Sequence, residues 1–188
     1  MTEDKTFVLV NTEIAAEKDV LSFLRKNASE YKMLGAFPVF GVYNIVGKFK
    51  GNHKEVYDNS VSDLRRRNKN VRETLTISTA GDSNFEKGED TNLTRRSFCV
   101  INTEIRRESE ALKDLDSIKG VTEAHVVYEV YDIVAKAEAK TSGDLKDLVD
   151  WKIRRIPAIR STIELRILDG GFLVDDKGNI TEYVVNKL

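Results

Sequence analysis

Phe98-Cys99-Val100-Ile101-Asn102-Thr103-Glu104-Ile105 restates a phrase the chain has already used. Phe7-Val8-Leu9-Val10-Asn11-Thr12-Glu13-Ile14 carries Phe, Asn, Thr, Glu and Ile in the same places, at an offset of 98 − 7 = 91. Downstream, AFPVFGVYNIVGK from Ala36 to Lys48 matches AHVVYEVYDIVAK from Ala124 to Lys136, at an offset of 124 − 36 = 88. A weaker third match sets Val71-Arg72-Glu73-Thr74-Leu75 against Ile159-Arg160-Ser161-Thr162-Ile163, again at 88. Three matches in one order read as two copies of a single unit. The lost residues fall between the first helix and the second strand of the copy, where a loop absorbs them.

Within the first copy, Phe7-Val8-Leu9-Val10 is apolar at every position. An unbroken apolar run predicts a strand covered on both faces, here over 6–14. Val20, Phe23 and Leu24 at helical spacing predict a helix over 16–27. Residues 34–40 and 43–49 read as strands joined tightly at Gly41-Val42. Tyr57, Val61 and Leu64 form the inner stripe of a helix over 53–67, and 71–79 is the closing strand. The second copy repeats this with strands at 97–105, 122–129, 131–139 and 160–168. Its helices are predicted at 107–118, stopped by Gly120, and from the cap at Thr141 to Ile156, stopped by Pro157.

Each copy is therefore a βαββαβ unit, the ferredoxin-like split arrangement, and the fold class is α+β. Right-handed crossovers put both helices on one face of the sheet and leave the other face bare. Two such bare faces packed together close a dimeric or pseudo-dimeric α/β barrel, within one chain or between two. Burying a few hundred Å² at about 25 cal/mol per Å² would stabilise it by several kcal/mol. The expected organisation is a first unit at 1–79, a polar linker at 80–95, a second unit at 96–168 and a C-terminal β-hairpin at 169–188. That hairpin needs an existing sheet edge or a neighbouring subunit, because two strands alone are marginal in water.

The chain has 188 residues, a formal net charge of −1 and a single cysteine, Cys99. Balanced charge argues against a nucleic-acid binder working through bulk electrostatics. A lone thiol makes no internal disulfide, and the N-terminus has neither the basic segment nor the apolar run of a signal peptide, so a cytoplasmic protein is expected. No stretch approaches the length of a membrane span.

Three segments carry a family resemblance: NTEI after an apolar strand, VVYEVYDIVAKAEA across the central hairpin, and KIRRIPAIRSTIEL at the end of the second copy. Together they resemble the effector-binding domain (regulation of amino-acid metabolism, RAM) of the leucine-responsive and asparagine-responsive (Lrp/AsnC) transcriptional regulators. The likeness is strong over 97–168 and fainter over 6–79. It implies a dimeric α/β barrel that assembles further into a homo-oligomer, with a small-molecule effector, usually an amino acid, bound between dimers. The family's Gly-x-Tyr-Asp hairpin signature falls on Gly41, Val42, Tyr43 and Asn44 in the first copy. In the second it falls on Glu129, Val130, Tyr131 and Asp132, and Thr74 and Thr162 complete the implied ligand-binding set. Both signatures depart from the pattern, at Asn44 and at Glu129. Five residues precede the first strand, so the family's helix-turn-helix is not expected here. The resemblance therefore implies a tandem sensing module, with no catalysis and no cofactor, acting in transcription regulation through a DNA-binding partner of the same family rather than by direct nucleic-acid contact.

Other residues have plainer readings. Arg65-Arg66-Arg67 and Arg154-Arg155 end their helices, where cations complement the helix dipole. His53 and His125 fall at non-equivalent positions, and no close His, Cys, Asp and Glu spacing predicts a metal site. Asn11/Glu13 and Asn102/Glu104 are repeated and open a rival reading, an α/β-barrel enzyme of the cofactor-free oxygenase or isomerase type.

Overall fold

The computed structural model describes residues 4–88 and 93–184. The described chain divides into two compact units, one of residues 4–78 and 168–184, the other of residues 79–88 and 93–167. Each has helices on an antiparallel sheet.

Unit 1 runs β1 (Lys5–Thr12), α1 (Glu17–Lys26), β2 (Met33–Phe40), β3 (Ile45–Lys50), a helix α2 over 53–67 and the first half of β4 (Val71–Glu86). The sheet order is β2-β3-β1-β4, with β1 central and antiparallel to both neighbours. Val8 and Val10 of β1 pack beneath Val20, Leu21 and Leu24 of α1 and Val56, Val61 and Leu64 of α2. Their alternates Phe7 and Leu9 point to the other face and are buried too. Burial on both faces accounts for the unbroken apolar run.

Residues 168–184 complete this unit with β9 (Gly171–Val174) and β10 (Ile180–Tyr183), an antiparallel pair. β9 adds to the free edge of β2, pairing Gly35 with Leu173 and Ala36 with Phe172. The approach is close: a Cβ on Gly35 would lie 2.7 Å from the Phe172 carbonyl oxygen. Phe172 is fully buried in the unit 1 core, and Phe37 meets Tyr183 edge-on at 4.9 Å.

Unit 2 contains β5 (Arg95–Thr103), α3 (Glu108–Ser117), β6 (Val121–Tyr128), β7 (Ile133–Ala139), a helix α4 over 142–155 and β8 (Ile159–Ile167). The order β6-β7-β5-β8 is again that of a ferredoxin-type sheet, with the second half of β4 beside β6. Cys99, Ile101, Ala135 and Ala137 face Ala111, Leu115, Leu145 and Val149 of the helices.

Two local features occur at corresponding places in the units. Both second helices contain a π-helical turn, at Tyr57–Val61 and at Leu148–Lys152. Ala15 and Arg106, just past the first strand of each unit, both take positive φ, 60° and 63°.

One expectation needs correction. Residues 80–95 do not form a linker throughout, because β4 continues as strand to Glu86. Lys87 N–H donates to the Thr122 carbonyl at 2.8 Å, and Phe85 packs against the unit 2 core. A polar segment at a sheet edge draws its order from backbone pairing, which leaves no hydrophobic period to read.

Candidate functional site

In unit 1 the β2–β3 connection covers 41–44. Val39 N–H donates to the Asn44 carbonyl at 2.8 Å, and Asn44 N–H donates to the Val10 carbonyl at 2.9 Å. A register shift at Asn11/Thr12 takes Thr12 out of the regular ladder. The Asn44 side-chain oxygen accepts the Thr12 N–H at 2.9 Å. Unit 2 builds the same joint. Val127 N–H reaches the Asp132 carbonyl, Asp132 N–H reaches the Ile101 carbonyl, and the β5 register shifts at Asn102/Thr103. There Asp132 accepts the Thr103 N–H at 2.7 Å and the Thr103 hydroxyl at 3.2 Å. Asn44 and Asp132 thus hold the hairpin root to the end of the central strand.

Beside the unit 1 joint lies a cleft of about 740 Å³. One wall is α1, with Glu17, Lys18, Leu21, Ser22 and Arg25; the other is Pro38–Gly41 with Asn44 and residues 168–170. The volume suits a small organic ligand. Leu21, Val39 and Phe40 supply apolar surface, and Lys18, Arg25, Glu17 and Asp169 supply charge of both signs. The Arg25 guanidinium sits over the Phe172 ring at 5.4 Å and within 3.8 Å of Glu182.

Among the sequence-predicted ligand residues, this cleft brings together Gly41 and Asn44. Val42 is exposed and Tyr43 half-buried, and neither lines it. Thr74 pairs with Val10 across β1 from Ile45, so it lies two strands from β3 and about 10 Å from it. In unit 2, Tyr131 is buried, while Glu129 and Val130 are exposed. Glu129 takes φ 106°, a region that favours glycine. A cleft of about 950 Å³ in this unit lies elsewhere, between residues 119–120, 138–140 and α4, and includes none of residues 129–132. Thr162 stands opposite Ile101 on the helix-covered face. Leu21, Ser22 and Arg25 were not anticipated as site residues. Their only signal in the sequence was their place on the helix that follows the repeated strand.

Several other candidates are committed to local structure. Arg66 and Arg67 bind Asp63 at 2.6 and 2.8 Å, Arg154 binds Asp150, and Arg155 stacks on Trp151 at 4.4 Å. Tyr31 donates its hydroxyl to Asp63 at 2.7 Å. Those bonds hold the Asp63 carboxyl down at about 2. Glu13 and Glu104 are exposed, and their N–H groups donate to Asn70 and Ala158 carbonyls, each at 2.8 Å. Cys99 is buried, and burial pushes its thiol up to about 12, so it is a core residue and a poor nucleophile. On the face of unit 2 away from its helices, Glu138 lies 3.3 Å from Arg96 and 3.2 Å from Lys136, all three buried.

No protein-family model matches the sequence, and no curated protein matches it. Among solved structures, the siroheme decarboxylase NirDL superposes with a TM-score of 0.63 over 87% of this chain and 70% of its own, at 10% identity. FFRP-DM1 is 32% identical over 39% of this chain and 99% of its own, with a TM-score of 0.39. AsnC of E. coli is 17% identical over 82% of this chain and 91% of its own, with a TM-score of 0.41. The likeness to NirDL is one of fold, the ferredoxin-type α+β arrangement described above. Among the described residues, no helix is long and apolar enough to cross a membrane.

Proposed function

We propose that the chain is a non-catalytic module that binds a small effector and transmits its presence by assembly, in the manner of the Lrp/AsnC regulators that its sequence resembles. The chain carries two βαββαβ copies, and in each the first strand is apolar on the sheet face away from its own helices, at Phe7 and Leu9 and at Phe98 and Val100. The module acts in transcription through a DNA-binding partner, as a homo-oligomer or a mixed one. Unit 1 carries the effector, and unit 2 serves the architecture.

The observation that carries this reading is the cleft beside Gly41 and Asn44. Its mixture of apolar wall, cation and carboxylate fits a zwitterion of the amino-acid class: Arg25 or Lys18 for the carboxylate, Glu17 or Asp169 for the ammonium. A thermal-shift screen of the amino acids, followed by calorimetry on each hit, tests it. At least one compound should raise the midpoint, and Ser22→Trp, which fills the cleft from an exposed position, should abolish that rise. A hit that Ser22→Trp leaves unchanged would place binding elsewhere.

A second reading, an enzyme with its site on the sheet face of unit 2 away from its helices, draws on the buried Arg96, Lys136 and Glu138 group, because charged side chains held in concealed positions mark many active sites. Retention of fold and effector response in Lys136→Met would leave that group a structural role.

A further inference from the structure

Glu123 and His125 stand two apart on β6, so both side chains leave the same face of the strand. Ala124 and Val126 take the opposite face, against the helix-side core. The second half of β4 runs beside β6, and the bond from Lys87 N–H to Thr122 sets its end level with this pair. That placement brings Glu86 to His125. His125 Nε2 is 2.6 Å from Glu123 Oε1 and 3.3 Å from Glu86 Oε1, and the three donor atoms lie within 4.8 Å of one another. Exposure is graded across the group: the side chain of His125 is 2% exposed, that of Glu123 13% and that of Glu86 41%.

We propose that Glu86, Glu123 and His125 form a binding site for a divalent transition-metal ion of the kind zinc represents. One imidazole nitrogen and two carboxylate oxygens, without thiolate, make a borderline-to-hard donor set that zinc accepts, and the divalent series places zinc above manganese and iron. Geometry agrees. Ligand bonds of about 2.0–2.1 Å in a tetrahedron put donor atoms about 3.3 Å apart, the distance already present between His125 and Glu86. The Glu123 contact must open by several tenths of an ångström, within reach of a side-chain rotation. Two carboxylates offset the ion's charge when the imidazole is neutral. The buried histidine anchors the ion, the exposed Glu86 marks its entry, and the fourth position is left to water.

A plain ion pair between a protonated His125 and the carboxylates would hold the same groups together without metal. The metal reading differs in what it does for β4. Its second half is a mostly polar strand whose Phe85 packs against the unit 2 core, so a cross-strand staple at Glu86 would secure its end against β6.

Chelator-treated protein, titrated with zinc chloride by calorimetry and followed by thermal denaturation, separates the two. The expected result is one saturable zinc per chain, a raised midpoint, and cobalt(II) absorption of tetrahedral type after substitution. Glu86→Gln, at the exposed ligand, should fold normally and weaken zinc binding by about tenfold or more, since a three-ligand site loses a third of its donors. His125→Gln should abolish it. Absence of saturable binding, or equal binding by wild type and Glu86→Gln, would overturn the site and leave the ion pair.

Discussion

Asp132 accepts both the backbone N–H and the hydroxyl of Thr103, at 2.7 and 3.2 Å, where the β5 ladder slips register. Asn44 performs the backbone half of that task for Thr12 in unit 1. An acceptor oxygen is what each position needs; a negative charge is not. Asp132→Ala leaves a half-buried N–H without its partner and should destabilise unit 2 by about 1–3 kcal/mol in chemical denaturation. Asp132→Asn and Asn44→Asp keep the acceptor and should each cost about 0.5 kcal/mol or less. A large loss in either conservative variant would assign the position a charge-dependent role.

Glu129 is held at φ 106° in the connection that Gly41 occupies in the other unit. A side chain in that region costs on the order of 1–3 kcal/mol, and glycine removes the cost while adding about 0.5–1 kcal/mol of chain entropy to be lost on folding. Glu129→Gly should therefore be neutral or stabilising, by up to about 1–2 kcal/mol. A clear loss of stability on denaturation would show that the Glu129 side chain makes contacts worth more than the strain.

The docking of the C-terminal hairpin depends on Gly35. A methyl group there meets a backbone carbonyl at 2.7 Å, and β9 must move to admit it. Gly35→Ala should destabilise unit 1 by about 1–3 kcal/mol and speed amide exchange along β9 relative to β1. Uniform exchange across both strands would contradict the close approach.

Acid stability should carry the mark of Asp63. Its carboxyl sits at about 2 in the folded chain, below the ordinary value of 3.8, chiefly because Tyr31 and Arg66 donate to the charged form. A depressed folded value means that the stabilisation is present above about pH 4 and is lost as pH falls through 2. The stability difference between wild type and Asp63→Asn should accordingly shrink between pH 5 and pH 2. A difference that stayed constant over that interval would remove Asp63 from the acid transition.

The apolar runs at Phe7–Val10 and Phe98–Ile101 made the central strands and both faces of each sheet legible, because burial on two sides leaves no polar alternation. Gly120, Thr141 and Pro157 marked helix ends through backbone chemistry that acts locally. The extension of β4 to Glu86 was not legible. Its order comes from edge pairing, and Phe85 was its one large apolar cue. The role of Asn44 was not legible from the hairpin motif: what it binds depends on a register shift on another strand. The grouping of Glu123 and His125 with Glu86 was not legible, because Glu86 reaches them only through tertiary pairing.

The claim that this chain senses an effector by assembling is tested most directly by its molar mass. Light scattering after size exclusion, repeated with each amino acid in the running buffer, should give a discrete oligomer whose mass or elution changes with at least one compound. A monomer with the same mass in every buffer would contradict it.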